Sequence, residues 1–166
     1  MSLRPFKLTD IDDFMAWVTD DRVSALTHWD TCTTKVEALN YLTKTIIPHP
    51  WFMAICLNGK PIGSIFVMPG TGKHKCRAEV GYALAFKYWG RGIVTRAMKV
   101  VVHRAFEEWP QLERIEALVA LENVSSQRVL EKAGFFKEGV LVKYYNMKGK
   151  TWDMVMYSYV PNDPRL

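Results

Sequence analysis

The sequence predicts a single α/β domain over residues 1–166: a mixed, mostly antiparallel sheet of about seven strands flanked by about four helices. Three observations carry this. Helical stretches alternate with short runs rich in β-branched and aromatic residues, so the two elements interleave along the chain. Turn signals at Asn58-Gly59 and Lys148-Gly149 join neighbouring runs as hairpins, which makes most pairings antiparallel. Finally, 166 residues, 49% of them hydrophobic, fill one substantial core, and no repeat, low-complexity tract or Pro/Gly-rich linker divides them.

A short strand is expected near Leu3–Leu8, followed by a helix capped by Thr9 or Asp10 and running to about Val18. Thr34 and Glu37 have capping-box spacing ahead of a helix that reaches Ile47 and stops at the prolines of "PHP". The strands "WFMAICL" and "IGSIFVM" flank the "NGKP" turn, and "RAEVGYALAF" follows the turn-rich "PGTGKHK" as a third. Val94, Met98, Val101, Ala105 and Trp109 then recur on one helical face. "RIEALVAL" reads as a buried strand, and Val124–Ala133 as a short helix capped by Asn123 and ended by Gly134. "FFKEGVLVKYY" and "WDMVMYSYV" close the chain as a hairpin.

Composition narrows the function classes. A formal charge of +5 suits an anionic ligand, but the cations form no Lys/Arg block and the six tryptophans do not interleave with them, which argues against nucleic acid. Cys32, Cys56 and Cys76 form no CxxC pair and share no metal-ligand spacing with the four histidines, so neither a metal site nor a disulfide framework is expected. The opening "MSLRPFKLTDIDD" lacks the apolar core of a signal peptide, and no run approaches the roughly 18 apolar residues of a membrane span. The expectation is a soluble, cytoplasmic protein without a membrane partner, monomeric or homodimeric.

The third strand and its continuation carry the chemistry. With period-two alternation, Ala78, Val80, Tyr82, Leu84 and Phe86 share one side, and Glu79, Gly81, Ala83 and Ala85 the other. The small side leaves room for a ligand or a packed helix. Its lone Glu79 is then either a surface carboxylate beside a helix-packing face or a confined carboxylate whose pKa rises toward that of a useful base. The strand runs into "FKYWGRGIVTRAMKVV", where Gly90 and Gly92 precede a helix and Lys87, Arg91 and Arg96 lie close by. Cations crowd the positive end of a helix dipole at a cost, so a negative group is expected there, with backbone N–H groups converging on it. Neither GxxxxGK[ST] nor GxGxxG is present, and "GRG" alone is also compatible with a simple turn.

Lys87-Tyr-Trp-Gly90-Arg-Gly92 resembles the Gln/Arg-x-x-Gly-x-Gly/Ala pyrophosphate loop of the GNAT acyl-CoA N-acyltransferases, with Lys in the first place. Lysine there removes the planar multidentate head of the usual residue. The blocks "LRPFKLTDIDDF", "AEVGYAL", "YWGRGIVTRA", "ENVSSQRVLEKAGFFKEG" and "DMVMYSYV" are similar to the RimJ/RimL group of that family and cover nearly the whole chain in order. The resemblance implies acetyl-CoA as co-substrate, lying in the opening between "AEVGYALAF" and "RIEALVAL". Its pantetheine would meet the backbone of Leu84, Ala85 and Phe86, and its pyrophosphate Lys87, Gly90, Arg91, Gly92, Ile93 and Val94. In the family an Asn-x-x-Ser unit contacts the cofactor arm; here that unit is Asn123-Val-Ser-Ser126, in which Asn123 is also an ordinary N-cap and Ser126 an ordinary first-turn residue.

Acetyl transfer to an amine needs a base for the ammonium, an N–H donor for the oxyanion and an acid for the thiolate. Glu79 is assigned as the base, a backbone N–H near Leu84 or Ala85 as the oxyanion donor, and Ser126 as the acid, with Tyr82, Tyr144 and Tyr145 as alternatives. His28, His49, His74 and His103 have no visible partner and are read as structural. The acceptor is expected to be a protein or peptide N-terminal amine. A polyamine or amino-sugar, and a non-catalytic acyl-CoA-binding regulator, are the alternatives. Trp29, Tyr144 and Trp152 are available to surround an amine, although tryptophans in a small core more often serve packing. Asp12, Asp13 and Asp30 would favour a cationic acceptor; Asp12 and Asp13 equally suit a helix N-terminus.

Overall fold

A computed structural model describes residues 1–164 of the chain. Its seven strands lie in the order β1-β2-β3-β4-β5-β7-β6 in one mixed sheet: β1 (Ser2–Pro5), β2 (Phe52–Leu57), β3 (Lys60–Pro69), β4 (Arg77–Leu84), β5 (Arg114–Ala120), β6 (Phe136–Met147) and β7 (Lys150–Tyr159). The helices are α1 (Ile11–Val18), α2 (Asp21–Ser24), α3 (Lys35–Tyr41), α4 (Ile93–Glu108) and α5 (Val124–Lys132). The predicted architecture is met, with one more helix than expected, the four-residue α2. The residues group into two compact units, Met1–Phe66 with Tyr82–Ile93, and Val67–Gly81 with the chain from Val94 onward.

In the first unit, Phe6, Phe14, Trp17, Val18, Val23, Ala38, Leu42, Ile46, Ala54 and Ala85 form one buried cluster. The β2–β3 hairpin turns at Asn58 (φ 50°) and Gly59 (φ 79°), the pair of positive φ values that such a turn needs. Two expectations are corrected at the N-terminus. The first strand stops at Pro5, because the Asp10 carboxylate reaches back to Lys7 N–H at 2.8 Å and to Arg4 at 2.7 and 2.8 Å, folding Leu8–Asp10 into a 3-10 turn. Asp10 therefore closes that turn and makes no side-chain cap on α1. Thr34 does cap α3, accepting from Glu37 N–H at 3.2 Å, but Glu37 returns to Thr33 N–H at 2.6 Å, one residue earlier than a capping box requires. α3 also ends at Tyr41, and a π-helical turn, Leu42–Ile46, carries the chain toward the prolines.

His49 follows that turn, its ring edge-on to Phe52 and Phe66 at 5.4 and 5.8 Å between centroids. Its Nδ1 accepts Trp51 N–H at 3.1 Å, so the neutral ring carries its proton on Nε2, a buried atom without a hydrogen-bond partner among the described residues. Burial holds its pKa below the ordinary 6.5. The unfolded chain then takes up a proton near pH 6.5 that the folded ring resists, so this contribution to stability is present above that pH and is lost as pH falls below it. Between pH 7.5 and pH 5.5 the urea midpoint is expected to fall more in the wild type than in His49→Gln. Equal falls would remove His49 from the account.

In the second unit, β4 pairs with β5 in parallel over Arg77↔Arg114, Ala78↔Ile115 and Glu79↔Glu116, and β5 continues antiparallel to β7 as far as Ala120↔Met154. The predicted face of α4 is buried at Val94, Met98, Val101 and Ala105, while Trp109 lies just beyond the helix end at Glu108. The β6–β7 hairpin turns at Lys148 (φ 53°) and Gly149 (φ 75°) as expected. A bulge between Leu141 and Tyr145, with Lys143 at φ 51° and its N–H on Asp153 Oδ1 at 2.7 Å, re-aims the strand just where Tyr144 and Tyr145 lie. Among the described residues no helix is long and apolar enough to cross a membrane.

Candidate active site

The end of β4 and the loop after it settle only some of their backbone N–H groups. Strand pairing ends at Leu84, so Ala85 and Phe86 leave the strand and Phe86–Tyr88 form a 3-10 turn, a correction to the longer strand expected. Ala85 N–H donates to Ile62 C=O at 2.8 Å, which removes it as an oxyanion donor. By strand alternation the N–H of Leu84 points away from β3 and remains the candidate. Close approach of β3 and β4 here depends on Gly63, where a Cβ would collide with the Ala83 carbonyl oxygen.

Beyond this point, Tyr88 N–H goes to Ala85 C=O and Trp89 N–H to Phe86 C=O, both at 3.0 Å. Among the described residues, no hydrogen bond takes the N–H of Gly90, Arg91, Gly92, Ile93 or Val94. Gly90 and Gly92 have φ of 73° and 68°, a conformation that L side chains resist, and a Cβ at either would meet nothing within 4 Å. The two glycines are thus there to shape the turn, and the space above it is open. This is a run of unclaimed donors at the positive end of the 16-residue α4, a geometry suited to an anion such as a phosphate. The Lys87 ammonium and Arg91 guanidinium lie 4.9 and 5.5 Å from the Tyr88 ring centroid, so both cations flank the turn.

In the second unit, Glu79 is exposed, which corrects the expectation of a confined carboxylate. Its charge is felt by Tyr145: burial first, then Glu79 and Tyr144, push the Tyr145 phenol above its ordinary 10.0. The Tyr144 and Tyr145 rings lie 4.9 Å apart. A phenol held protonated near a carboxylate is the pair that proton transfer in both directions needs. Asn123 caps α5, accepting from Ser126 N–H at 3.1 Å, and Ser126 is half-buried in the first turn. Trp152 is buried, its indole N–H on Met147 C=O at 2.8 Å and the Lys150 ammonium 3.8 Å over its ring, so it braces the hairpin from within.

In the first unit, Trp29 is half-buried against the core, 6.4 Å from Tyr41 between ring centroids. Asp12 and Asp13 are already paired with the chain's own cations, Lys35 at 2.6 Å and Lys60 at 3.6 Å. They are therefore weak candidates for attracting a cationic acceptor.

A family model described as an acetyltransferase (GNAT) domain matches residues 1–136. Among curated relatives, the "Probable N-acetyltransferase YjcK" of Bacillus subtilis is 47% identical over 76 residues, 46% of this chain and 41% of its own. The chain spans about half the length of the curated relatives it matches. A solved GNAT-family acetyltransferase from Bacillus anthracis superposes with a TM-score of 0.86 at 24% identity, covering 97% of this chain and 95% of that one, a likeness of fold. Mycobacterium smegmatis RimJ in complex with CoA-disulfide gives 0.79 at 26% identity, covering 99% and 83%.

Proposed function

Since the chain belongs to the GNAT acetyltransferase family, we propose that it transfers an acetyl group from acetyl-CoA to a primary amine, a protein or peptide N-terminal amine being the acceptor of choice. The observation that carries this reading is the run of unclaimed N–H groups from Gly90 to Val94, held in place by two positive-φ glycines. They would receive the pyrophosphate, with Lys87 and Arg91 supplying positive charge. Leu84 and Phe86 would offer backbone groups to the pantetheine, and Asn123 a second contact on the cofactor arm beside its capping role.

Glu79 would take the proton of the acceptor ammonium through water, freeing the nitrogen to form a bond to the thioester carbon. Leu84 N–H would stabilise the oxyanion, and as the C–S bond breaks Tyr145 or Ser126 would return a proton to the thiolate. The raised Tyr145 phenol stays protonated at neutral pH, the state a proton donor needs. Tyr144 would line the acceptor, while the buried Trp152 would hold the hairpin that carries it. A protein acceptor draws support from the likeness to the ribosomal-protein-S5-alanine acetyltransferase of Vibrio fischeri, 26% identical, and cytoplasmic action, with residues 1–166 working as one domain, fits that reading.

Calorimetry tests the cofactor half. The wild type is expected to bind acetyl-CoA and to ignore NAD and ATP. Gly92→Val, which forces a β-branched residue into positive φ and puts atoms above the turn, should bind about tenfold more weakly or worse. No acetyl-CoA binding by the wild type, or equal affinity in a folded Gly92→Val protein, would overturn the assignment.

A further inference from the structure

The loop that would hold acetyl-CoA is closed on itself by one side chain. The Trp89 indole N–H donates to Leu84 C=O at 2.7 Å, bridging from the residue before Gly90 to the last residue of β4. Leu84 N–H is the oxyanion candidate named from strand alternation, and Gly90 opens the run of unclaimed donors. This bond adds a side-chain tie from the start of the phosphate turn to the Leu84–Ala85 peptide, whose N–H is held by Ile62 C=O at 2.8 Å. Both ends of the loop are candidate contact points for the same ligand.

The indole is itself held. Trp89 packs at a tilt of 54° against Phe86, 5.0 Å between centroids, and the Arg22 guanidinium lies 3.8 Å from the centroid of the Phe86 ring. Arg22 is oriented by Asp20, whose carboxylate accepts from its Nε at 2.9 Å and its Nη2 at 2.6 Å while also capping α2 through Arg22 N–H at 3.0 Å. Phe86 and Trp89 are nonetheless about two-fifths exposed, at 41% and 43%. Two large aromatic rings left this open contribute little burial to the core. Their fixed geometry instead orders the loop that they sit on.

Resting on the reading of this loop as an acyl-CoA site, the geometry points to Trp89 as a positioning residue for acetyl-CoA, backed by the Asp20–Arg22–Phe86 stack. Its indole N–H presets the Leu84 peptide and the Gly90 turn, so that the ligand meets an ordered loop. Without it the loop has to be ordered on binding, which weakens affinity. α2, an element with no periodic signal in the sequence, thereby acts on the cofactor loop through Arg22.

Trp89→Phe keeps an aromatic ring against Phe86 and removes the N–H together with part of the ring surface. Acetyl-CoA affinity by calorimetry, steady-state constants for both substrates, thermal midpoints and amide hydrogen exchange over residues 84–94 are measured together. The expected result is about a three- to tenfold weaker acetyl-CoA Kd and a matching rise in its KM, the size of one lost hydrogen bond. The acceptor KM should hold, and exchange at Ala85, Tyr88 and Trp89, the hydrogen-bonded N–H groups of the loop, should quicken. Arg22→Gln should move the same quantities in the same direction by a smaller factor. A lower thermal midpoint with unchanged acetyl-CoA Kd and unchanged exchange over 84–94 would mean that Trp89 is a structural residue only, and would overturn the inference while leaving the acetyl-CoA reading intact. A wild type that binds no acetyl-CoA would overturn both.

Discussion

Glu79→Gln is expected to lower turnover about 10²–10⁴-fold at neutral pH, the range that a lost general base gives, with acetyl-CoA affinity unchanged. Gln has the size of Glu and its hydrogen-bonding reach, but it cannot take up the ammonium proton. Because Glu79 is exposed, the substitution should leave the fold intact, so the loss can be read as chemistry. A second signal accompanies it. The Glu79 charge is the second cause of the raised Tyr145 phenol, after burial, so in Glu79→Gln that phenol should titrate at lower pH, followed by its ultraviolet absorbance. Retained turnover at neutral pH in the folded variant would move the base to solvent or to another group.

Removing Glu116 should have the largest effect on stability. Its carboxylate is buried and takes both the Arg77 guanidinium and Arg114 Nε, the latter at 3.2 Å. Arg114 also forks onto Glu138 with two bonds of 3.0 Å, and Ser158 donates to Glu138 at 2.6 Å. The network joins β4, β5, β6 and β7 and balances two guanidinium groups against two carboxylates. Glu116→Ala would leave the part-exposed Arg77 and Arg114 without their shared partner, so a loss of about 1–3 kcal/mol in urea unfolding is expected. A loss below about 1 kcal/mol would mean that water already screens the cluster as it does at a surface.

The sequence was most legible where local chemistry decides structure. Asn58-Gly59 and Lys148-Gly149 set two hairpins because their turns need positive φ. Asn123 and Thr34 cap helices by contacts three residues long. The Gly90–Gly92 turn was legible for the same reason: glycine tolerates the backbone that it uses. What escaped reading depends on distant partners. The Arg77–Glu116 pair joins residues 39 apart in the chain, and no periodicity announces it. α2 is too short for a helical pattern and rests on Asp20 and on a stack against Phe86. Arg4 and Asp10 cut the first strand short through an ion pair that an apolar pattern cannot show. Alternation placed Glu79 on β4, but its exposure depends on what covers that face, which alternation does not contain. The loss of Ala85 N–H to Ile62 likewise follows from strand pairing and not from residue type.

The most direct test of the account is release of free thiol from acetyl-CoA in the presence of a panel of amines: peptides with free N-termini, the same peptides with blocked N-termini and no lysine, spermidine and an amino-sugar. Acetyl transfer to the free N-terminal peptides, seen as thiol release with a matching acetyl mass on the peptide and none on the blocked ones, is the predicted result. Thiol release only with spermidine or the amino-sugar would keep the enzyme and replace the acceptor. Tight acetyl-CoA binding with no amine-dependent thiol release across the panel would contradict the central claim and leave an acyl-CoA-binding protein without transferase chemistry.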